Sequence, residues 1–320
     1  MSADDHIPRV LSIQSHVVHG YVGNKCAVLT LQLLGFEVDP VNSVQFSNHA
    51  GYPSFKGAVH DGAHLQSILA GLEANGITKY SHLLTGYVGS ASLLREIASV
   101  CRQLRAWNPG LTYLCDPVLG DEGRLYVPEE LVAVYQEEVL PLASVLVPNQ
   151  FEAELLAGTT IGSAADGFAA CQLLHDKGPH TVIITSANLP GREDTILLLA
   201  STTRPQAKGT NMQQLVLEVP KIHAYFTGTG DLLASLLLGR THQHPDNLAA
   251  AIDEAIASLQ AVLSATAATC NESTLAMKKP SSDVCNRREL RLVQNQGAIT
   301  GPVTGLRCAP WSEYQAAGKS

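Results

Sequence analysis

The stretch Phe226-Thr227-Gly228-Thr229-Gly230-Asp231 runs directly into the apolar segment Leu232-Leu233-Ala234-Ser235-Leu236-Leu237-Leu238-Gly239. A helix over 231–240 would be apolar on every face, which predicts that it is buried in the core. Gly228 and Gly230 carry no Cβ atom, so a ligand can lie against the backbone, where the free N–H groups of the first helical turn bind anions. Asp231 would stand beside that anion site and could take a proton from an alcohol that attacks a phosphate. The alternative is an aspartate that only caps the helix, because Asp is a favoured N-cap residue.

The composition favours one large domain over residues 1–320. A hydrophobic content of 45% in 320 residues can bury a sizeable core. The longest unbroken apolar runs are shorter than the roughly 20 residues of a membrane span, and the N-terminus is acidic and polar, unlike a signal peptide. Seven scattered cysteines form no C-x-x-C pair, which favours reduced thiols. We therefore expect a cytoplasmic protein without a membrane partner.

The formal net charge of −8 argues against nucleic acid as a partner, since a phosphate backbone requires clustered Lys and Arg. It does not argue against a nucleotide. Backbone amides and Mg²⁺ can hold a triphosphate without a basic patch. ATP therefore stays open as a ligand.

Short apolar runs alternate with helix-length amphipathic segments along the chain. Strands are predicted at 9–13, 36–41, 80–85, 111–115, 144–147, 181–184, 195–200 and 215–219. Helices are predicted at 24–34, 62–74, 90–106, 128–137, 150–157, 165–177, 231–240 and 246–270. This alternation predicts right-handed βαβ units and a parallel sheet covered by helices on both faces. The polar segments 201–214 and 271–288 are expected to be a mobile loop and a loosely ordered linker.

Polar residues follow the apolar cores of five predicted parallel strands. They are Ser15, Gly86-Tyr87, Asp116, Asn149 and Thr185-Ser186. Ligands bind outside the carboxyl ends of the strands in open α/β sheets. Their gathering at one edge favours an enzyme over a purely structural domain.

Four carboxylates near this edge are candidates for a metal site. Asp116 and Asp121 stand five residues apart across a Pro/Gly turn, and Glu152 and Glu154 follow Asn149. Oxygen ligands of this kind suit Mg²⁺, which takes one or two carboxylates together with phosphate oxygens and water. The alternative is a solvated acidic loop and a surface helix, the commoner location of Asp and Glu.

Further motifs, taken with the opening stretch, resemble the pyridoxal kinases of the ribokinase-like superfamily. The matching segments are 10–15, 20–24, 41–49, 84–87, 115–121 and 148–154. They occur in family order from about residue 9 to about residue 270, and beyond them only 289–294 resembles the family. The resemblance implies a ribokinase-like α/β fold: a central, mostly parallel sheet flanked by helices on both faces, a Rossmann-like three-layer sandwich.

The resemblance also implies an activity, ATP-dependent phosphorylation of the 5′-hydroxyl of pyridoxal, pyridoxine and pyridoxamine in vitamin B6 salvage. Asp231 would be the base, and the amides of Gly228 to Asp231, Gly230 included, would hold the charge on the transferred phosphoryl group. Implied vitamer contacts are Ser15, Val22, Phe46, Ala50, Tyr87, Tyr126 and Asp231. Implied ATP contacts are Asp116, Asn149, Glu152, Thr185, Ser186, Ile222, His223, Ala224, Thr227, Gly228 and Thr229.

Metal ions and a partner subunit are implied by the same resemblance. Mg²⁺ would be bound by Asp121 first, with Asp116, Glu152 and Thr185 nearby. A monovalent cation, K⁺ or Na⁺, would lie near Asp116 and Thr185. The family further implies a homodimer.

The chain departs from the family pattern at two places. Ala50 stands where these kinases commonly have a threonine, and the 122–125 loop is several residues shorter than in many relatives. Any one of the aromatic residues in the implied pocket, considered alone, is more often a core residue than a ligand contact. Two alternatives remain at this stage: a related kinase for hydroxymethylpyrimidine or a sugar, and a non-catalytic B6-vitamer-binding protein.

Overall fold

The computed structural model describes residues 7–204, 212–275, 277, 280–303 and 305–318 of the chain. Its strands are β1 (Arg9–Val17), β2 (Glu37–Phe46), β3 (Gly57–Val59), β4 (His82–Thr85), β5 (Thr112–Cys115), β6 (Gly120–Asp121), β7 (Arg124–Leu125), β8 (Val145–Leu146), β9 (Thr181–Ala187), β10 (Thr195–Thr202), β11 (Gln213–Pro220) and β12 (Ala309–Pro310). Its α-helices are α1 (Gly23–Leu33), α2 (Gly62–Ala74), α3 (Ala91–Trp107), α4 (Glu130–Val134), α5 (Gln150–Ala157), α6 (Ala164–His175), α7 (Thr229–Gln243), α8 (Leu248–Ala267), α9 (Glu272–Leu275), α10 (Ser282–Arg287), α11 (Gln296–Thr300) and α12 (Trp311–Ala316). A π-helical turn (Tyr135–Val139) continues α4.

A ten-stranded sheet forms the centre of the fold, in the order β12-β11-β10-β9-β8-β5-β4-β1-β2-β3. The run from β9 to β2 is parallel throughout, as the alternation of strands and helices predicted. The segments 195–200 and 215–219 are the exceptions within the mostly parallel sheet that was predicted, because β10 and β11 are antiparallel to their neighbours. The physical reason is the connection. A short loop such as 188–194 can join only antiparallel strands, whereas parallel neighbours need a crossover.

Helices cover both faces of the sheet, so two apolar cores form. The helices α1, α7, α8 and α11 pack on one face, and α2 to α6 pack with α12 on the other. Within α7, every residue from Leu232 to Arg240 is buried, which confirms the buried helix predicted from its apolar faces. Arg240 at its end is compensated by Glu254, 3.0 Å away.

Among the described residues, one helix is apolar enough to qualify as a membrane span by length and composition. It is α8, with a mean hydropathy of 1.4, in which polar residues interrupt the apolar ones. In the fold, 56% of that segment is buried, and α8 packs along α7. Core helices of soluble proteins pass the same test, so its apolar character is accounted for by packing inside this fold.

The two segments expected to lack structure are partly ordered. Residues 201–202 end β10 and 213–214 begin β11, whereas 205–211 lie outside the described residues. Within 271–288, α9 and α10 are helical, although 276, 278 and 279 are not described. Arg288 explains part of this order, because its buried guanidinium donates to the carbonyls of Met277 (2.8 Å) and Thr274.

Candidate active site

The carboxyl ends of the parallel strands bring the predicted polar residues to one edge of the sheet. Asp116 follows β5, and its backbone N–H donates to the carbonyl of Thr85 at the end of β4 (3.0 Å). Thr185, near the end of β9, donates its backbone N–H to the carbonyl of Pro148 (2.9 Å), which precedes the Asn149 cap of α5. Neighbouring strand ends are therefore bonded to each other, and the polar side chains of this edge are held on a rigid frame.

The N-terminus of α7 closes this edge. Gly228 has a φ of +89°, and a Cβ on it would lie 2.3 Å from the carbonyl oxygen of Tyr21, so the turn is accessible only to glycine. A Cβ on Gly230 would meet its nearest atom, Asp116 Oδ2, at 3.7 Å. The first turn of a helix leaves its N–H groups without intrahelical partners. The free N–H groups of this turn therefore lie beside the carboxylate of Asp116.

Asp231 is fixed by a glycine that also contacts Ser15. The backbone N–H of Gly23 donates to the Asp231 carboxylate, which lowers its pKa, but burial has the larger effect and raises the pKa. A Cβ on Gly23 would lie 2.4 Å from Ser15 Oγ, so the predicted base and the predicted vitamer contact flank one glycine. A carboxylate with a raised pKa accepts a proton more readily near neutral pH than an exposed one does.

Asp116, Glu152 and Asp231 form a cluster of buried negative charge. Burial raises the pKa of Asp116 well above its usual value, and the charges of Glu152 and Asp231 raise it further. Burial likewise raises the pKa of Glu152 to about 7. No ion pair among the described residues involves any of the three. A bound cation would relieve this repulsion.

Glu152 organises the loop that carries Asp121. Its Oε1 accepts the backbone N–H of Leu119 (2.9 Å), and its Oε2 accepts that of Asn149 (2.9 Å) in a capping box at the start of α5. The Asn149 side chain in turn donates to the carbonyl of Gly120 (2.7 Å), next to Asp121. Both oxygens of Glu152 are therefore engaged by backbone amides, which suits orienting the loop better than direct metal contact.

The donor set near Asp116 fits Mg²⁺ bound together with a nucleotide. Among the described residues, no three His, Cys, Asp or Glu side chains form a complete metal cluster. Mg²⁺ does not need one, because it usually takes one or two carboxylates, phosphate oxygens and water. Asp116 is buried beside the amide-lined turn, and Asp121 is exposed on the β6–β7 hairpin.

The residues predicted to contact the vitamer lie at strand ends, in the first turn of α7 and on loops around this edge. Val22 is buried with its Cγ1 3.3 Å from the place of a Cβ on Gly228. Phe46, at the end of β2, packs on Phe55 with ring centroids 4.9 Å apart. The carbonyl of Tyr87 accepts the Ser43 hydroxyl (2.6 Å). The ring of Phe46 and the backbone of Tyr87 are therefore each held by a contact within the protein.

Ala50 and Tyr126 are more exposed than the other vitamer-side residues. Ala50 lies in the 49–52 loop, whose Gly51 approaches the Thr227 hydroxyl: a Cβ on Gly51 would be 3.3 Å from Thr227 Oγ1. Tyr126 is 55% exposed and follows β7, where its N–H donates to the carbonyl of Leu119 (2.8 Å). Partial burial and the nearby Tyr225 and Asp121 raise the pKa of its hydroxyl.

The residues predicted for the adenine end of ATP lie between β11 and α7. Ile222 and Ala224 form a tight turn, with the N–H of Ala224 donating to the carbonyl of Ile222 (2.7 Å). The exposed ring of His223 is held by Asp194, whose Oδ1 lies 3.1 Å from His223 Nε2. Thr185 donates its hydroxyl to the Pro148 carbonyl (3.3 Å), and Ser186 follows it on β9.

Sequence reasoning missed the C-terminal contribution to this edge. Glu289 is buried and contacts His49, Tyr52 and the backbone of Tyr21. Gly23, whose amide binds Asp231, was also not singled out. The sequence feature that could have indicated Glu289 is the short stretch 289–294, the one segment beyond about residue 270 that resembles the kinase family.

Comparison with known proteins identifies the family. Residues 77–276 match the family model described as phosphomethylpyrimidine kinase. The chain is 53% identical to the pyridoxal kinase of Arabidopsis thaliana over 304 residues, 95% of either chain, and 45% identical to that of Homo sapiens over 301 residues, 92% of this chain and 96% of the relative. The solved structure of Leishmania donovani pyridoxal kinase in complex with ADP and pyridoxamine aligns with a TM-score of 0.83 and 35% identity, covering 94% of this chain and 99% of that one. The chain belongs to the pyridoxal kinase family, with the ribokinase-like fold that its motifs predicted.

Proposed function

We propose that this chain transfers the γ-phosphoryl group of ATP to the 5′-hydroxyl of pyridoxal, and also of pyridoxine and pyridoxamine. The observation that carries the proposal is the place of Asp231 in the first turn of α7, where its carboxylate accepts the amide of Gly23, the glycine that also packs against Ser15. The relatives that share 53% and 45% identity bear the name pyridoxal kinase, and the Leishmania donovani structure holds ADP and pyridoxamine.

In the proposed reaction, the hydroxyl oxygen of the vitamer bonds to the γ-phosphorus of ATP as the bond from that phosphorus to the leaving ADP breaks. Asp231 accepts the proton that the hydroxyl loses. The Gly23 amide holds the Asp231 carboxylate in place. Burial raises the pKa of this carboxylate, which makes it a more effective base. The N–H groups of the Gly228–Gly230 turn face the developing charge on the phosphoryl group. Ser15, Val22, Phe46, Ala50, Tyr87 and Tyr126 orient the vitamer, and the ATP contacts are those predicted from the sequence.

Mg²⁺ is proposed to bind at Asp116 and Asp121, with Glu152 and Asn149 orienting the loop between them. When bound, it neutralises phosphate charge and so favours phosphoryl transfer. A monovalent cation, K⁺ or Na⁺, is proposed near Asp116 and Thr185. The raised pKa of Asp116 supports a cation beside it, because burial and the charges of Glu152 and Asp231 disfavour its ionised form when no cation is bound.

A homodimer in the cytoplasm is proposed on the family resemblance and the scattered cysteines. The end of the sheet supports an association surface, because β3 exposes all of its residues and Val59 is 61% exposed. Light scattering on the purified protein would measure its mass in solution.

A kinase for hydroxymethylpyrimidine is the second candidate, favoured by the family model that matches residues 77–276. Coupled assays of ADP release with pyridoxal, hydroxymethylpyrimidine and ribose distinguish the candidates. Pyridoxal should give the highest kcat/KM. A clear preference for either other alcohol would overturn the proposal, and pyridoxal binding without ADP release would indicate a vitamer-binding protein.

A further inference from the structure

The buried carboxylate of Glu289 joins two loops that flank the candidate active site. Its Oε2 accepts the backbone N–H of Tyr21 (3.0 Å), while its Oε1 accepts the Tyr52 hydroxyl (3.0 Å) and lies 3.2 Å from His49 Nε2. Gly20 makes room for this arrangement, since a Cβ there would lie 2.3 Å from both carboxylate oxygens. Glu289 is only 7% exposed, so these contacts replace water around its charge.

The hydrogen bonds of His49 define the tautomer of its neutral ring. Its Nδ1 accepts the backbone N–H of Gly51 (3.1 Å), so that nitrogen carries no proton. The proton of the neutral ring is therefore on Nε2, which donates to Glu289. The ring also packs on Tyr52, with centroids 4.8 Å apart. One carboxylate thus fixes the tautomer of His49 and, through Gly51, the shape of the 49–52 loop that includes Ala50.

Both loops held by Glu289 contact the Gly228–Gly230 turn or Thr227 just before it. The Tyr21 carbonyl lies 2.3 Å from the place of a Cβ on Gly228, so the two backbones are in tight contact. Gly51 faces the Thr227 hydroxyl just before that turn. Leu290, next to Glu289, approaches the same place beside Gly228 with its Cδ1 at 3.3 Å. A shift of Glu289 would therefore reach the vitamer side and the phosphate side together.

We propose that Glu289 is a positioning residue that holds the 19–21 and 49–52 loops in register with the Gly228 turn. The inference rests on the proposed kinase function. Glu289 contacts these loops and not the reacting atoms, so it acts through Tyr21 and His49. Because a misplacement of about 1 Å between reacting groups can lower a rate by about 10²-fold, loss of its charge should reduce catalysis more than it reduces ATP binding.

The test compares Glu289→Gln with Arg288→Gln. The glutamine is nearly isosteric, but its amide has one acceptor oxygen and a donating NH₂ group, so it cannot accept from all three donors. Arg288 is the matched control, because it is adjacent and 5% exposed but donates to the carbonyls of Met277 and Thr274. For each variant, kcat, the KM values for pyridoxal and ATP, and the melting temperature are measured.

Glu289→Gln should lower kcat/KM for pyridoxal by about 10- to 100-fold, with the KM for ATP within about twofold of the parent. Arg288→Gln should change kcat/KM by less than about threefold even where it lowers the melting temperature as much. Equal losses in the two variants would overturn the proposal, because Glu289 would then only stabilise the C-terminal segment.

If Glu289→Gln does not fold, Tyr52→Phe removes a single donor from the same carboxylate. A severalfold loss in kcat/KM for pyridoxal would support the proposal, and a parent-like value would overturn it. The parent protein separates this test from that of the function. If it phosphorylates a different alcohol, the function assignment fails, and the same variants are compared with that alcohol.

Discussion

Gly228→Ala should disable the turn without unfolding the protein. An added Cβ would lie 2.3 Å from the Tyr21 carbonyl oxygen, whereas ordinary contact begins at 3.4 Å, so the two backbones must separate by about 1 Å. Both atoms belong to the backbone, so no side-chain rotation can relieve the overlap. A displacement of this size at the anion-binding turn corresponds to about a 10²-fold loss of rate, and we expect kcat/KM for pyridoxal to fall by that factor or more.

Gly35→Ala is the matched control for backbone strain. Gly35 has a φ of +90°, against +89° for Gly228, but nothing lies within 4 Å of the place of its Cβ. Both variants therefore suffer the left-handed penalty of about 1–2 kcal/mol, which leaves the close contact as the difference between them. Initial rates of ADP release, corrected for the folded fraction at the assay temperature, should be near normal in Gly35→Ala. If Gly228→Ala is as active as Gly35→Ala, the turn does not require its observed geometry and our reasoning is refuted.

Other substitutions test the remaining parts of the site. Asp231→Asn should keep its KM for ATP while kcat falls by roughly 10²–10⁴, the usual contribution of a general base, and near-normal turnover would reduce Asp231 to a helix cap. Gly230→Ala should melt like the parent, because the nearest atom to its Cβ is Asp116 Oδ2 at 3.7 Å, yet bind nucleotide roughly tenfold more weakly by calorimetry; unchanged affinity would place the phosphates elsewhere. Ala50→Thr should lower the KM for pyridoxal severalfold through a hydrogen bond of about 0.5–1.5 kcal/mol and leave kcat little changed, whereas equal KM values would indicate that water already makes this contact. Burial raises the pKa of Glu152 from 4.5 to about 7, so its contribution to stability is lost as pH rises through that window, at about 1.4 kcal/mol per pKa unit. In urea unfolding of the ligand-free protein, Glu152→Gln should therefore gain stability relative to the parent from about pH 5 to about pH 8, and a difference that does not vary with pH would contradict this.

The long elements of the fold were predictable because their patterns are long. Every strand predicted from an apolar run is present, and the predicted helices 231–240 and 246–270 correspond to α7 and α8. The strands that were missed are β3, β6, β7 and β12, which have two or three residues each and so show no alternation. Their positions depend on neighbouring backbone rather than on their own sequence.

Some residues of the candidate site could likewise be placed from the sequence, and others could not. Asp116, Asn149 and Thr185 could be placed together because the ends of parallel strands meet at one edge, whatever their separation in sequence. Glu289 could not be placed, since its partners Tyr52 and Tyr21 are 237 and 268 residues away and no local pattern encodes such a contact. A polar segment is equally consistent with a solvated linker and with a buried hydrogen-bond network, and composition does not distinguish them.

The buried carboxylates at this edge of the sheet differ in how the protein compensates their charge. Asp116, Glu152 and Asp231 raise the free energy of the ligand-free fold when ionised, because burial and mutual repulsion disfavour their charged forms. The apolar helix α7 and the bonded strand ends hold them together in spite of this repulsion. Glu289 is the opposite case: His49, Tyr21 and Tyr52 lower its pKa although burial raises it, so its charge is compensated within the protein. One acidic group is therefore satisfied by the fold and orders the loops. Of the other three, Glu152 is held by backbone amides and Asp231 by the amide of Gly23, so Asp116 is the group whose buried charge is best placed for a cation or a phosphate-bound metal ion.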